Sequence, residues 1–171
     1  HAGIMNLDTA EITTTGAQSN QLVAMKDSTL DANKVKGIST GNSASAVRSY
    51  ANSQITISNS VLSATGALAN GIYTQGFDAD HQAIVTLDNS LVSSATREGI
   101  LAEGANTQIN VNNNSTVQSG NGVLLRARSF IDTNTGVTAQ SQVNLSASNS
   151  HLEGEIIADT GSVVDVYLNS G

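Results

Sequence analysis

The strongest pattern in the chain is a short alternation of apolar and polar positions that ends on Asn-Ser. Ile55-Thr56-Ile57 leads into Asn59-Ser60, and Val85-Thr86-Leu87 into Asn89-Ser90. Ile109-Asn110-Val111 leads into Asn114-Ser115, and Val143-Asn144-Leu145 into Asn149-Ser150. Val164-Asp165-Val166-Tyr167-Leu168 runs into Asn169-Ser170, with weaker copies ending at Asp8-Thr9 and Asp27-Ser28. A second element follows most anchors, a glycine and then an aliphatic residue: Gly71-Ile72, Gly99-Ile100, Gly122-Val123 and Gly154-Glu155-Ile156, with Ala46-Val47 in that role earlier. Between anchor and glycine lie Val61-Leu62, Leu91-Val92, Thr116-Val117 and His151-Leu152. Each unit therefore offers three short strands, and the period of two turns one set of side chains inward. Apolar residues do not recur at helical spacing, and β-branched residues crowd the apolar positions.

One such unit cannot bury its apolar face alone. Stacking units at roughly 4.8 Å pairs each strand with its copies above and below and lines up the aliphatic side chains in columns. The pattern predicts an all-β fold: a parallel β-helix, or β-solenoid, with three short strands per rung and about six rungs, roughly 30 Å long on that spacing. The anchor serines are 32, 30, 25, 35 and 20 residues apart, which loops absorb by swelling outward. Aligned Asn59, Asn89, Asn114 and Asn149 form a turn ladder of hydrogen bonds, a structural role with no catalysis in it. The rival fold is a β-sandwich, which also uses short strands and frequent turns but gives no reason to repeat Asn-Ser. Residues 1–171 read as one solenoid segment, less regular over 1–53 and clearly repetitive over 54–171.

Composition sharpens this reading. Hydrophobic residues make up 39% of the chain, yet only Tyr50, Phe77, Tyr73, Phe130 and Tyr167 are aromatic, so a thin core must be filled by Val, Ile, Leu and Ala. The net charge is −7, and after Arg128 the chain has five acids and no base, which disfavours nucleic acid and anionic lipid as partners. The absence of cysteine excludes disulfides and thiolate metal sites. No apolar run approaches a membrane helix. With no starting Met, and with His1-Ala2 read as a tag remnant, the chain is expected to be an excised fragment.

From Gly99 to Val117 the order is glycine-aliphatic strand, Gly104-Ala105-Asn106 turn, alternating strand, polar-Ser turn. Leu152 to Gly171 repeats it. This resembles a bacterial autotransporter passenger of the pertactin type, over most of the chain after Gln54. The resemblance implies a right-handed three-stranded β-helix. It also implies a parent protein exported and held at the outer membrane by its own C-terminal barrel, and an extracellular, cell-surface location. No Arg-Gly-Asp motif or proline-rich loop is present, so integrin-type binding is not implied.

The residues give no catalytic or metal signature and imply no cofactor. The densest chemistry is the loop Phe77-Asp78-Ala79-Asp80-His81, where two carboxylates and an imidazole lie close in sequence. A solvated polar loop is the favoured account of it, since no second carboxylate or base recurs one rung away to complete a site. His151 stands alone at a turn with no metal partner near it in the sequence, and Glu153 and Glu155 share one side of a strand as outward polar residues. Arg126, Arg128 and Phe130 begin the longest inter-strand segment, to Gln140, and form a candidate contact loop. A second exposed insertion is expected between Lys34 and Ser45. The function expected is a non-enzymatic adhesin or virulence-type passenger segment, a rigid scaffold that touches a host surface protein or glycan, or a like passenger on another cell. The alternatives are a carbohydrate-active β-helix enzyme, lyase or hydrolase, and a self-associating aggregation module.

Overall fold

The computed structural model describes residues 3–50, 52–76 and 82–169. They form strands β1 (Ile4–Thr14), β2 (Leu22–Ala24), β3 (Thr29–Ser39), β4 (Val47–Tyr50), β5 (Gln54–Ser58), β6 (Val61–Ala64) and β7 (Ile72–Gln75). There follow β8 (Gln82–Asp88), β9 (Leu91–Ser94), β10 (Ile100–Glu103), β11 (Asn106–Asn112), β12 (Thr116–Gln118) and β13 (Val123–Arg128). The last are β14 (Phe130–Ile131), β15 (Thr138–Ala139), β16 (Gln142–Ser148), β17 (His151–Leu152), β18 (Glu155–Ala158) and β19 (Val163–Asn169). The described residues contain no helix.

Almost all pairing is parallel and joins each strand to its counterpart in the next copy of the repeat. One eleven-stranded sheet runs β17-β12-β9-β6-β3-β5-β8-β11-β16-β19, with β1 also on β3. A six-stranded sheet runs β18-β13-β10-β7-β4-β2. Among the described residues only the hairpin β14–β15 is antiparallel. The architecture is β-solenoid-like: an all-β stack in which β5, β6 and β7 are succeeded by β8, β9 and β10, then by β11, β12 and β13.

The alternation read from the sequence sets which side of each strand is inside. Ile55, Val85, Ile109 and Leu145 lie in one register column, and Ile57, Leu87, Val111 and Ala147 in the next. All are buried. Leu62, Val92 and Val117 form a column from the second strands, and Val47, Ile72, Ile100 and Leu125 one from the third. Each buried aliphatic side chain contributes about 1.5–3 kcal/mol, so the core needs no aromatic ring. At the C-terminal end the first two columns finish on Val166 and Leu168 of β19, which are 41% and 72% exposed.

The bend between first and second strands is where Asn-Ser matters. Asn59, Asn89, Asn114 and Asn149 all have φ between 47° and 63°, a left-handed conformation that Asn tolerates better than most residues. A bend breaks the regular ladder and leaves buried N–H groups in need of acceptors. The serine hydroxyls supply them. Ser60 Oγ accepts from Val35 N at 2.9 Å, Ser90 Oγ from Ser60 N at 3.0 Å, and Ser115 Oγ from Ser90 N at 3.1 Å. Beside this column Asn59 donates to Asn33 Oδ1 at 3.0 Å and Asn89 to Asn59 Oδ1 at 2.9 Å. Asn33 donates to Asp8 Oδ1 at 2.7 Å. One copy further, Asn113, not Asn114, continues the polar row by donating to Asp88 Oδ1 at 3.0 Å.

Several expectations are corrected here. Asp27-Ser28 is not a copy of the anchor: Asp27 N bonds Asn52 O, at a different turn, and the anchor position in β3 is Lys34-Val35. Lys34 and Thr9 take the left-handed bend with φ of 53° and 52°, and β1 and β3 run through it as single eleven-residue strands. The early copies therefore hold two strands where three were expected. Asn169 pairs with Ser148, one residue short of Asn149. A register shift in β13 puts Leu125, not Val123, in the aliphatic column. No insertion protrudes between Lys34 and Ser45. Lys34 to Ser39 belongs to β3, and Ala44 and Ser45 are buried in the following turn.

A glycine row closes the turn after the second strand. A Cβ on Gly41 would stand 1.9 Å from Gly16 O, and one on Gly66 1.9 Å from Gly41 O. The backbones touch there, so any side chain must push successive copies apart. Two outcomes follow, both read by urea unfolding. Gly66→Ala should cost at least about 2 kcal/mol through overpacking. Ser115→Ala strands the buried Ser90 N–H and should cost about 1–3 kcal/mol.

Candidate functional site

The third strands of successive copies present two outward columns. Val23, Arg48, Tyr73, Leu101, Arg126 and Ile157 share one register line. Tyr50, Gln75, Glu103 and Arg128 share the line beside it. Neighbours along each line lie 25 to 31 positions apart in sequence, so only the parallel register brings them together. The local reason is the same each time: an inward aliphatic and an inward small residue alternate with two outward positions, as in Val47-Arg48-Ser49-Tyr50 and Leu125-Arg126-Ala127-Arg128. Because β4, β7, β10 and β13 are hydrogen-bonded on both sides, this face offers side chains only.

Arg48 is held between two rings. Its guanidinium carbon is 4.8 Å from the centroids of both Tyr50 and Tyr73, within cation–π range, and Nη2 donates to Gln75 Oε1 at 3.2 Å. The Tyr73 hydroxyl donates to Glu103 Oε2. Arg128 Nε donates to the other oxygen, Glu103 Oε1, at 2.5 Å. Arg126 binds Asp159 in fork geometry, Nε to Oδ2 at 3.2 Å and Nη2 to Oδ1 at 3.1 Å. Arg97, in the turn before β10, sits 3.0 Å from Glu98, whose carboxylate is only 2% exposed. Arg48, Arg97 and Arg128 line an open recess of about 310 Å³ with Tyr73, Leu101 and Glu103. All four arginines of the chain therefore gather on or beside this face, along with two of its three tyrosines.

The sequence-predicted residues fall in three places. Phe77, Asp78, Asp80 and His81 lie outside the described residues. Arg126 and Arg128 are not on a loop: they belong to β13, an interior strand, and that is why they have fixed carboxylate partners. Phe130 follows in β14, and its Cβ would meet a side chain placed on Gly104 at 2.7 Å, so the hairpin lies against the preceding copy. The hairpin exposes Ile131 and Val137. His151 is not isolated either: its Nε2 is 3.5 Å from Glu153 Oε2, both exposed, at the edge of a second, larger recess of about 540 Å³. Glu153 stands in the turn before β18 and Glu155 in the strand, so the two do not share it. Asn59 and Asn89 bond in the polar row, while Asn114 and Asn149 share the left-handed backbone of the bend. Among the described residues no three His, Asp or Glu side chains converge as a metal site.

Sequence reading passed over Arg48, Tyr50, Tyr73, Arg97 and Glu103. A usable signal was there: the second residue after each inward aliphatic repeats a small side chain, which marks the positions on either side of it as one outward face.

Burial raises the Tyr73 phenol above the ordinary tyrosine range, and the bond to the Glu103 carboxylate and its charge push it further in the same direction. With the folded value raised, its contribution to stability is complete below the unfolded tyrosine pKa, near 10, and is lost as pH rises through the folded one. Ultraviolet titration should show a phenolate step that is delayed beyond pH of about 10, and Tyr73→Phe should remove it. At the hairpin tip the Asp132 carboxyl is held below its usual value by hydrogen bonds from Asn134 N and Thr135 Oγ1. That turn should loosen as pH falls through the lowered value, seen as lost amide protection over residues 132–137 relative to the intrinsic exchange rate, and Asp132→Asn should show protection that is flat across the same range. No family model, curated protein or solved structure matches this chain.

Proposed function

We propose that the chain is a rigid, non-enzymatic contact segment of a cell-surface passenger protein, and that the outward face of its six-stranded sheet is the contact surface. In this reading the stack is a right-handed parallel β-helix of about six rungs. It belongs to a longer, pertactin-like passenger that is displayed outside a bacterial cell by a C-terminal outer-membrane barrel. The observation that carries the reading is the gathering of four arginines and two tyrosines on or beside one face of a sheet whose strands β4, β7, β10 and β13 are paired on both sides. Arg and Tyr are the residue types that dominate recognition surfaces. They are held still here by stacking and ion pairs, so little side-chain freedom is lost on contact.

The fixed ion pairs favour recognition over turnover. Glu103 and Asp159 each have an arginine in hydrogen-bond contact, so neither carboxylate is free to meet a substrate.

The test is an array of glycans, matrix proteins and whole cells, read for adhesion and for new reducing ends. Adhesion without cleavage, weakened severalfold by Arg126→Ala or Arg128→Ala, is the expected result. Cleavage of any polysaccharide would sink the non-enzymatic reading. Adhesion indifferent to both arginines would move the contact surface elsewhere.

A further inference from the structure

We infer that the recess bounded by Arg48, Tyr73 and Leu101 binds the carboxylate of an acidic saccharide. This rests on the reading of that face as a contact surface and names the chemistry of what it touches.

Three observations converge. Arg48 is the only arginine of the four with no carboxylate partner among the described residues: Arg97, Arg126 and Arg128 pair with Glu98, Asp159 and Glu103. Arg48, Arg97 and Arg128 line the recess with the one carboxylate of Glu103, and Glu98 pairs with Arg97 behind it, so the recess carries positive charge on a chain whose net charge is −7. The Arg48 guanidinium is also pre-set, clamped between Tyr50 and Tyr73 and braced by Gln75. A planar donor fixed in this way suits a carboxylate, which accepts two parallel hydrogen bonds from it.

The second observation is unmet hydrogen-bonding capacity. Asn70 lines the recess, is only 6% exposed, and its Oδ1 has no hydrogen-bond partner. Buried polar groups of this kind are rare unless something completes them. Arg48 Nε is likewise buried and without a partner.

The third is the character of the lining. Gln18, Ser43, Ser45 and Asn70 bring amide and hydroxyl groups to the recess, and Leu68, Tyr73 and Leu101 bring apolar surface. That combination suits a sugar ring, with hydroxyls at its rim and C–H groups on its face. The volume, about 310 Å³, is at the small end of the roughly 300–1,000 Å³ of ligand sites, enough for a ring and its carboxylate. An acidic peptide fits less well. Peptide recognition on sheets commonly adds a strand to a free edge, and β4, β7 and β10 have none.

Titration calorimetry of the full chain with a uronic-acid tetrasaccharide should give a saturable isotherm that weakens with added salt. The carboxyl-reduced, neutral tetrasaccharide should bind about ten- to a hundredfold more weakly. Arg48→Gln should lose affinity by a similar factor. Ser43→Asp sets a like charge at the rim and leaves the Arg48 clamp intact, at a left-handed position that Asp accepts. It should lose binding while its thermal unfolding stays that of the parent chain, so the inference remains testable if Arg48→Gln unfolds. Lys36→Gln, on the other sheet, should bind as the parent does. No isotherm, equal affinity for the neutral sugar, or full affinity in Ser43→Asp overturns the inference. So does a glutamate-rich peptide that binds as tightly as the sugar. Cell adhesion separates the two readings. If adhesion persists and acidic sugar does not compete, this site is refuted and the contact surface survives. If the sugar binds and no adhesion is found, the site survives and the contact reading falls.

Discussion

The two large sheets depend on a backbone hydrogen-bonded in register to a stretch of chain 21 to 36 residues away, as Gln142 is to Val163 and Asn106 to Gln142. In such a stack a residue has the same environment as its counterparts in the neighbouring copies. Inward positions of one column must suit the same interior in successive copies, aliphatic at Val47, Ile72, Ile100 and Leu125 and small at Ser49, Thr74, Ala102 and Ala127. Where the chain bends away from the ladder, every copy needs a substitute acceptor at the same place. The serine hydroxyls from Ser60 to Ser115 are that substitute, and the left-handed asparagines beside them set the angle of the bend. Tight turns add a steric demand at Gly41 and Gly66, where successive backbones leave no room for a Cβ.

These demands explain what the sequence made legible. Columns such as Ile57, Leu87 and Val111 follow from alternation alone, because the inward side admits little else. The parallel stacking follows from the recurrence of Asn-Ser. The first fifty residues were harder, since Lys34 and Thr9 occupy the bend without an asparagine and Val35 stands where a serine was sought. The last anchor was read one residue out of register because Asn169-Ser170 has the right letters in the wrong column. The glycine row passed unnoticed: its members matter through backbone contacts with copies 25 residues away, which no local pattern displays.

The arginine and tyrosine face was the least legible feature, for a related reason. Arg48 and Tyr73 are unremarkable outward residues of separate short strands, and their significance is created by stacking. Arg126 and Arg128 stand out because they are close together in sequence, but the long segment that follows them reads as a loop, and the register shift after Val123 hides the strand that carries them. Their partners Asp159 and Glu103 come from the following and the preceding copy. Ion pairs of this kind tie neighbouring copies together as well as orienting the surface. Exposed pairs contribute little to stability, so their larger effect is to fix the direction of each guanidinium.

The hairpin β14–β15 interrupts this stack and leaves its register unaltered. The chain leaves β13, folds back on itself through Thr133 to Gly136, and rejoins at β16 in line with β11. The scaffold is thus indifferent to what is spliced in at that corner, provided both ends return to the same two strands. A stack built this way separates inheritance of form from novelty of surface: its columns hold the architecture constant while its corners accept new sequence of almost any length.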